Sequence, residues 1–427
     1  MIISRSARAV AGVFAALALV GCALASVPAS ASTSRAAGWR VSVLRAIGGY
    51  PVSEASAVSC AGGPCVAAGW ASGVMAPEID SKGQPYFLAT GSAGRWGPEA
   101  PGPLPAGAPE WNAANSGVNV NGISCPARGS CVAVGVYNNS TPTTLSQPAF
   151  IAEEQHGSWH TAFSPRLPAD AATPANGVLT SVSCPSQGNC EAIGSYYTSH
   201  GEVQLSVTES HGRWARTWPM RFGQAAWQNG LRSVSCARIT ECVAVGWAAA
   251  AGKPTVVLAA LRVNGRWQQA ERIRLPKGSG SVTTLRSVSC LPTDTCTAIG
   301  QSSSGMQIFV TFSRGHWGKP VALRRLPRGA RGDGVALQAV SCARYFCLAV
   351  GSFTPTTLNR QEWLVVRIAA GTWRSATEIR VPPGPPGNFI PQATADAVSC
   401  TLAGHCAVGG FYTDKSADWA ALVATGS

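Results

Sequence analysis

Seven times along its 427 residues the chain reads Ser-Cys, four or five residues, and a second Cys, followed in six copies by x-Ala-x-Gly. The pairs are Cys60 and Cys65, Cys125 and Cys131, Cys184 and Cys190, Cys236 and Cys242, Cys290 and Cys296, Cys342 and Cys347, and Cys400 and Cys406, spaced 52 to 65 residues apart. The seventh copy bends the tail to Ala407-Val408-Gly409-Gly410. A period near 50 residues means one supersecondary unit repeated, so the stacking of units decides the fold.

The fourth copy shows the unit. Leu231 to Cys236 alternates, a short polar loop follows, and Cys242 to Gly246 forms a second β-rich run. Pro254 to Arg262 makes a third run, closed by Val263-Asn264-Gly265-Arg266, and Trp267 opens a fourth. Alternation, β-branched residues and Gly/Asn turns predict four short antiparallel strands with no helical period. Seven such sheets predict an all-β, seven-bladed β-propeller. The last copy stops after a third strand at Trp419–Val423, while a lone tryptophan strand, Trp39 to Leu44, stands near the other terminus. Joined, they complete the seventh blade and close the ring without a loose edge. Six tryptophans follow Gly-x (Trp96, Trp159, Trp214, Trp267, Trp317 and Trp373) and Trp39 follows Gly38. The serine before each first Cys predicts a small residue where blades crowd near the axis, with Val or Ile before it packing between sheets.

Cysteine usage points to export. Fifteen cysteines make seven close pairs plus Cys22. Residues 1–31 carry Arg5 and Arg8, then an apolar stretch from Ala9 to Val20, which reads as a secretion signal too short to span a bilayer. Two exits are open: cleavage after Ala29-Ser30-Ala31, or a lipobox Leu19-Val20-Gly21-Cys22 that removes 1–21 and lipidates Cys22. The propeller domain then runs over 38–427, secreted or held at the outer side of the cell envelope. In an oxidising compartment seven hairpin disulfides are expected, each closing a short loop worth roughly 2 kcal/mol and pinning the register of two strands. Zinc needs four ligands together, and no second Cys pair or His recurs at ligand spacing. Twenty-eight arginines against five lysines carry most of a net charge of +13, which suits anionic partners.

The turn before each fourth-strand tryptophan, as in Glu209-Ser210-His211-Gly212-Arg213-Trp214, resembles the tail of an Asp-box, S-x-D-x-G-x-T-W. That element marks the same strand position in sialidase-like, BNR-repeat propellers. Only Gly and Trp match throughout, and the box aspartate is absent, so the resemblance implies the propeller fold and carries no arginine triad or Tyr/Glu pair onto this chain. The Arg-over-Lys, Ala-rich composition is also similar to that of secreted repeat proteins of high-GC Gram-positive bacteria.

In such a ring the disulfide loops share one face with the turns before the tryptophans. The opposite face carries the loops of variable length, including 71–85, 97–121 and 382–396, and is the expected binding surface. Aromatics lie within two or three residues of the second-strand glycine: Trp70, Tyr137, Tyr196, Tyr197, Trp247, Phe353, Phe411 and Tyr412. They are candidates for stacking on sugar rings, or else they plug the gaps between blades. Arg324, Arg325, Arg328 and Arg331 form a candidate site for an anionic polymer, or a charged edge that discourages strand pairing.

Catalysis has less in its favour. The six histidines are scattered, no HExxH or GxSxG occurs, and Glu153-Glu154 should face opposite sides of a strand. The expectation is a monomeric, non-enzymatic binding module without cofactor or metal. Its partner would be a cell-wall polysaccharide or other anionic polymer, or a protein on the variable-loop face, rather than nucleic acid. The alternatives are a glycosidase or lyase using loop carboxylates (Glu78, Asp80, Glu110, Asp414) and a purely structural surface protein. Carboxylates clustered with perturbed pKa at the channel mouth would favour the enzyme.

Overall fold

The computed structural model describes residues 33–426 except 37, 49, 74–84, 93, 109–116, 142–143, 161, 221–227, 250–254, 274–282, 303–304, 324–325, 327–329, 357, 359 and 387–389. It describes backbone alone at 33–36, 228–229, 271–272, 283 and 331–333. The export segment with Cys22, the arginines Arg324, Arg325 and Arg328, the side chain of Arg331, and Glu78, Asp80 and Glu110 lie outside these residues.

The chain is a seven-bladed β-propeller, each blade an antiparallel sheet whose first strand is innermost. Blade four, for example, runs Gln228–Arg238, Glu241–Ala249, Val256–Val263 and Arg266–Trp267 from the axis outward. In blades one to five the fourth strand is shorter than the alternation implies, whereas blade six keeps eight residues, Thr372–Ile379. In blades one, three, four and five it breaks after the tryptophan and resumes as a second short pairing, as at Trp218–Met220. The seventh blade is Ala393–Cys400, Cys406–Thr413 and Trp419–Gly426, completed by Trp39–Val43 in the register Arg40↔Thr425 to Val43↔Leu422. One unforeseen strand, Thr33–Ala36, adds to its outer edge.

Local chemistry sets each hairpin. All seven predicted disulfides form across the first two strands, with Cα separations of 3.9–4.1 Å. Cys60 is bonded to Cys65, Cys125 to Cys131, Cys184 to Cys190 and Cys236 to Cys242 in the first four blades. In the last three, Cys290 is bonded to Cys296, Cys342 to Cys347 and Cys400 to Cys406. The second cysteines Cys131, Cys190, Cys296 and Cys347 are themselves buried in the clusters between blades, so each bridge also fills part of a seam. The turns before five of the tryptophans hold two successive residues at positive φ, such as Asn264 (48°) and Gly265 (75°), or His211 (51°) and Gly212 (75°). That pair of conformations is the type I′ turn, whose twist matches the flanking strands. The recurrent Gly-x-Trp therefore needs glycine for its backbone.

The core sits between blades. Val58, Cys65 and Phe87 of the first blade pack with Ala397, Ala407 and Val423 of the seventh, and like clusters fill other seams. The Ser-Cys serines do more than fit a crowded space. Each hydroxyl accepts the N–H of the first cysteine in the next blade, at 2.8–3.0 Å, from Ser59 to Cys125 around to Ser399 and Cys60. Seven equivalent bonds thus join every blade to its neighbour. The tryptophans add a second set of pins: the indole N–H of Trp214 reaches Glu153, that of Trp267 reaches Glu191, and that of Trp373 reaches the Val321 carbonyl.

Candidate functional site: the mouth of the axial channel

The second-strand glycine shapes the axis. A Cβ on Gly69, Gly135, Gly194, Gly246, Gly300, Gly351 or Gly410 would stand 1.7–2.0 Å from a first-strand carbonyl oxygen, far inside contact distance. Only glycine lets the two strands approach there. Opposite it the first strand bulges, with register shifts such as Leu231/Ser233, Leu285/Ser287, Leu337/Ala339 and Ala395/Ala397. A bulge leaves one residue unpaired and re-aims its side chain. That residue lies four before the first Cys of each blade: Ser56, Asn121, Thr180, Arg232, Arg286, Gln338 and Asp396.

Three of the seven look across to the next blade. Ser56, Asn121 and Thr180 donate to the carbonyls of Val120, Leu179 and Leu231 at 2.8, 2.9 and 3.1 Å. The other four converge with Thr284, Gln301 and Ser302 on a polar cavity of about 470 Å³. Arg286 donates to Gln338 Oε1 at 2.8 Å and Gln301 Oε1 at 3.3 Å. Burial lowers its pKa, and the neighbouring Arg232 lowers it further. Arg232 has no hydrogen-bond or ion-pair partner among the described residues. Two like charges held side by side create a field that attracts an anion.

A carboxyl pair completes the mouth. Asp396 of blade seven lies beside Glu54 of blade one, and burial holds Asp396 well above the usual carboxylate range, helped by the Glu54 charge. Its Oδ2 is buried without a hydrogen-bond partner. Burial pushes Glu54 up to about 7, against a lowering hydrogen bond from Trp70. Near neutral pH the pair therefore retains a proton and can donate as well as accept.

The aromatic circle does not form. Tyr137, Tyr196, Phe353 and Tyr412 are buried in the clusters between blades, with the Tyr137 hydroxyl bonded to Ser164 and the Tyr196 hydroxyl donating to Asp170. The reason is the two-residue period of a strand. These four stand two residues after the glycine and point into the seam, whereas Trp70, Trp247 and Phe411 stand one residue after it and take the other side. Trp247 covers Gly230, and exposed Tyr197 stands alone. Phe411 is buried as well, stacked on Trp419 at 4.3 Å, and Trp419 lies 6.1 Å from Trp70. Only Trp70 of the candidate aromatics thus meets the channel chemistry, through Glu54. Asp414, a candidate loop carboxylate, accepts the N–H groups of Ser416 and Asp418 and shapes its own turn. Among the described residues no group of three or more His, Cys, Asp or Glu could hold a metal.

No protein-family model and no curated protein matches the chain. Several solved structures align with it over most of its length. A protein of unknown function from Dyadobacter fermentans is 10% identical over 91% of this chain and 99% of its own, with a TM-score of 0.49. The BP39L lectin from Burkholderia pseudomallei is 13% identical over 87% and 98%, at 0.47. The Hadza microbial sialidase Hz136 is 10% identical over 79% and 73%, at 0.48.

Proposed function

We propose that this propeller is an exported binding module that captures an anionic polysaccharide at the mouth of its axial channel. The observation that carries the reading is the convergence of Arg232, Arg286, Gln338 and Asp396 on one polar cavity of about 470 Å³. Paired guanidinium groups take a carboxylate or sulfate of the ligand, and Gln338, Gln301 and the protonated carboxyl pair meet its hydroxyls. Trp70 presents an apolar ring beside them. Seven disulfides and the apolar segment at 9–20 are what support export, with Ala31 or Gly21 as the last residue removed. The test is titration of the oxidised protein with oligogalacturonate across a salt series. Binding should weaken with salt, and Arg232→Gln combined with Arg286→Gln should weaken it about tenfold or more. Affinity unchanged in that variant refutes the assignment.

One observation favours a second reading, catalysis at the same mouth. Glu54 and Asp396 are neighbouring carboxyls with raised pKa beside the arginines, the pattern that acid–base chemistry on a glycosidic bond uses. Release of new reducing ends or unsaturated sugars from a uronate polymer, lost in Asp396→Asn, supports this reading. Binding without turnover removes it.

A further inference from the structure

A second concavity, a groove of about 830 Å³, lies away from the axis at the outer seam of blades three and four. Trp218 forms one wall and leaves 67% of its surface exposed. The indole is nonetheless anchored on the sheet, because Trp218–Met220 pairs with Gln204–Ser206 in the register Trp218↔Ser206. The corresponding short strands of other blades, Ala100–Pro101, Glu271–Arg272 and Val321–Ala322, contain no aromatic residue. Blade two holds Phe163 at the equivalent place, but that ring is half-buried against Trp214, so among the described residues the open indole is a departure from the repeat.

The facing wall is polar, and Arg262 within it is fixed. Arg262 is bound by Glu191 at 3.1 Å, by the Thr208 hydroxyl at 3.2 Å and by the Ile239 carbonyl. Its charge is thus matched within the protein. Arg266, four residues on, is exposed; its carbonyl accepts the Gln268 side-chain amide at 3.2 Å, while its guanidinium has no hydrogen-bond or ion-pair partner among the described residues. Gln268 and Gln269 stand exposed beside it. The wall as a whole offers one unmatched cation and two amides across from a flat apolar surface.

We infer that this groove is a saccharide site distinct from the axial channel, taking a single acidic sugar residue of a polymer. The apolar face of the sugar ring covers Trp218, the carboxylate or sulfate meets Arg266, and the hydroxyls meet Gln268 and Gln269. The groove volume is within the roughly 300–1,000 Å³ of ligand sites. The inference does not depend on the channel reading, since no residue is shared.

The experiment is calorimetric titration of the full oxidised protein at low salt with hexagalacturonate, a sulfated dextran oligosaccharide and neutral cellohexaose. Trp218→Ala and Arg266→Gln should each weaken one binding event about tenfold or more. Trp218→Phe should retain it, and the Arg232→Gln/Arg286→Gln variant should leave it unchanged. Binding of either anionic probe alone supports the inference and identifies the acidic group. An event of equal affinity in Trp218→Ala overturns it. So does an event lost only in the channel variant, or cellohexaose binding as tightly as the acidic probes. Trp218 is exposed, so its loss leaves the core intact, which an unchanged melting temperature verifies.

Discussion

The ring of serine bonds makes a direct claim about what holds the blades together, and Ser235→Ala tests it. The Ser235 hydroxyl accepts the Cys290 N–H at 2.9 Å across the seam of blades four and five. Alanine removes the acceptor and leaves a largely buried backbone donor unmatched, which costs about 1–3 kcal/mol. The missing oxygen itself leaves little void. Unfolding entropy near 2.1 cal/mol/K per residue gives roughly 0.8 kcal/mol/K for a domain of this size, so about 2 kcal/mol lowers the melting temperature by about 2.5 °C. Scanning calorimetry under non-reducing conditions reads that shift. Ser233→Ala is the internal control. Its hydroxyl accepts the Val288 N–H at 3.1 Å, yet the repeat carries Ala57, Gly122, Ala339 and Ala397 at the same position. The ring therefore tolerates that loss elsewhere, and the control should fall by less than half as much. A Ser235→Ala protein as stable as the parent, or a Ser233→Ala protein equally damaged, refutes the assignment of seam stability to the Ser-Cys serine.

Three further outcomes follow from the same contacts. Gly246→Ala puts a Cβ 1.9 Å from the Gly230 carbonyl oxygen, so the bulge must move; a loss of about 3 kcal/mol or more is expected in thermal unfolding. Arg262→Ala leaves the fully buried Glu191 without its cation at the seam of blades three and four. That should cost about 3–5 kcal/mol, whereas Glu191→Leu with Arg262→Met should lie near the parent in urea titration. Glu54 has a folded pKa of about 7 against an ordinary 4.5, so the folded state binds its proton more tightly than the unfolded one. Its contribution is full below pH 4.5 and is lost as pH rises to about 7, a fall of up to about 3 kcal/mol. Glu54→Gln should flatten that slope, and an unaltered slope in stability measured from pH 4.5 to 8 counts against a raised pKa.

Much of this architecture is legible in one sequence because the repeat prints each structural requirement seven times. The disulfide pairs, the I′ turns before the tryptophans and the strand shared between the termini all follow from spacing and residue type. The channel mouth does not, although its trace is present. Aligned copies show one position, four before the first Cys, where Ser56, Asn121, Thr180, Arg232, Arg286, Gln338 and Asp396 differ in charge and size. Strict alternation assigns that position to a packed face, and only the bulge turns it toward the axis. The same alternation, applied to the aromatics after the second-strand glycine, separates Tyr137 from Trp70. An offset of one residue decides which side of the blade a ring takes, while burial depends on what covers it there, as Trp419 covers Phe411. Glu54 and Asp396 stand 342 positions apart in sequence, so only ring closure brings them together.

The division between repeat and departure also explains how a rigid ring can hold a particular site. Positions that set strand approach, turn type and seam bonding cannot vary without loss, as the glycine contacts of 1.7–2.0 Å make plain. Positions released from those duties are the bulged residue and the outermost strand, where the ladder is shortest. Those are the places where this chain puts its unmatched charges and its open indole: Arg232 and Asp396 at the axis, Trp218 and Arg266 at the rim. A carboxyl inside a seam either brings a cation with it, as Glu191 does with Arg262, or is held toward its neutral form by burial, as Glu99, Glu154 and Glu209 are. Unmatched polar atoms also occur in buried places, at Glu99, Glu154 and Trp317, but both proposed sites lie on departures from the repeat.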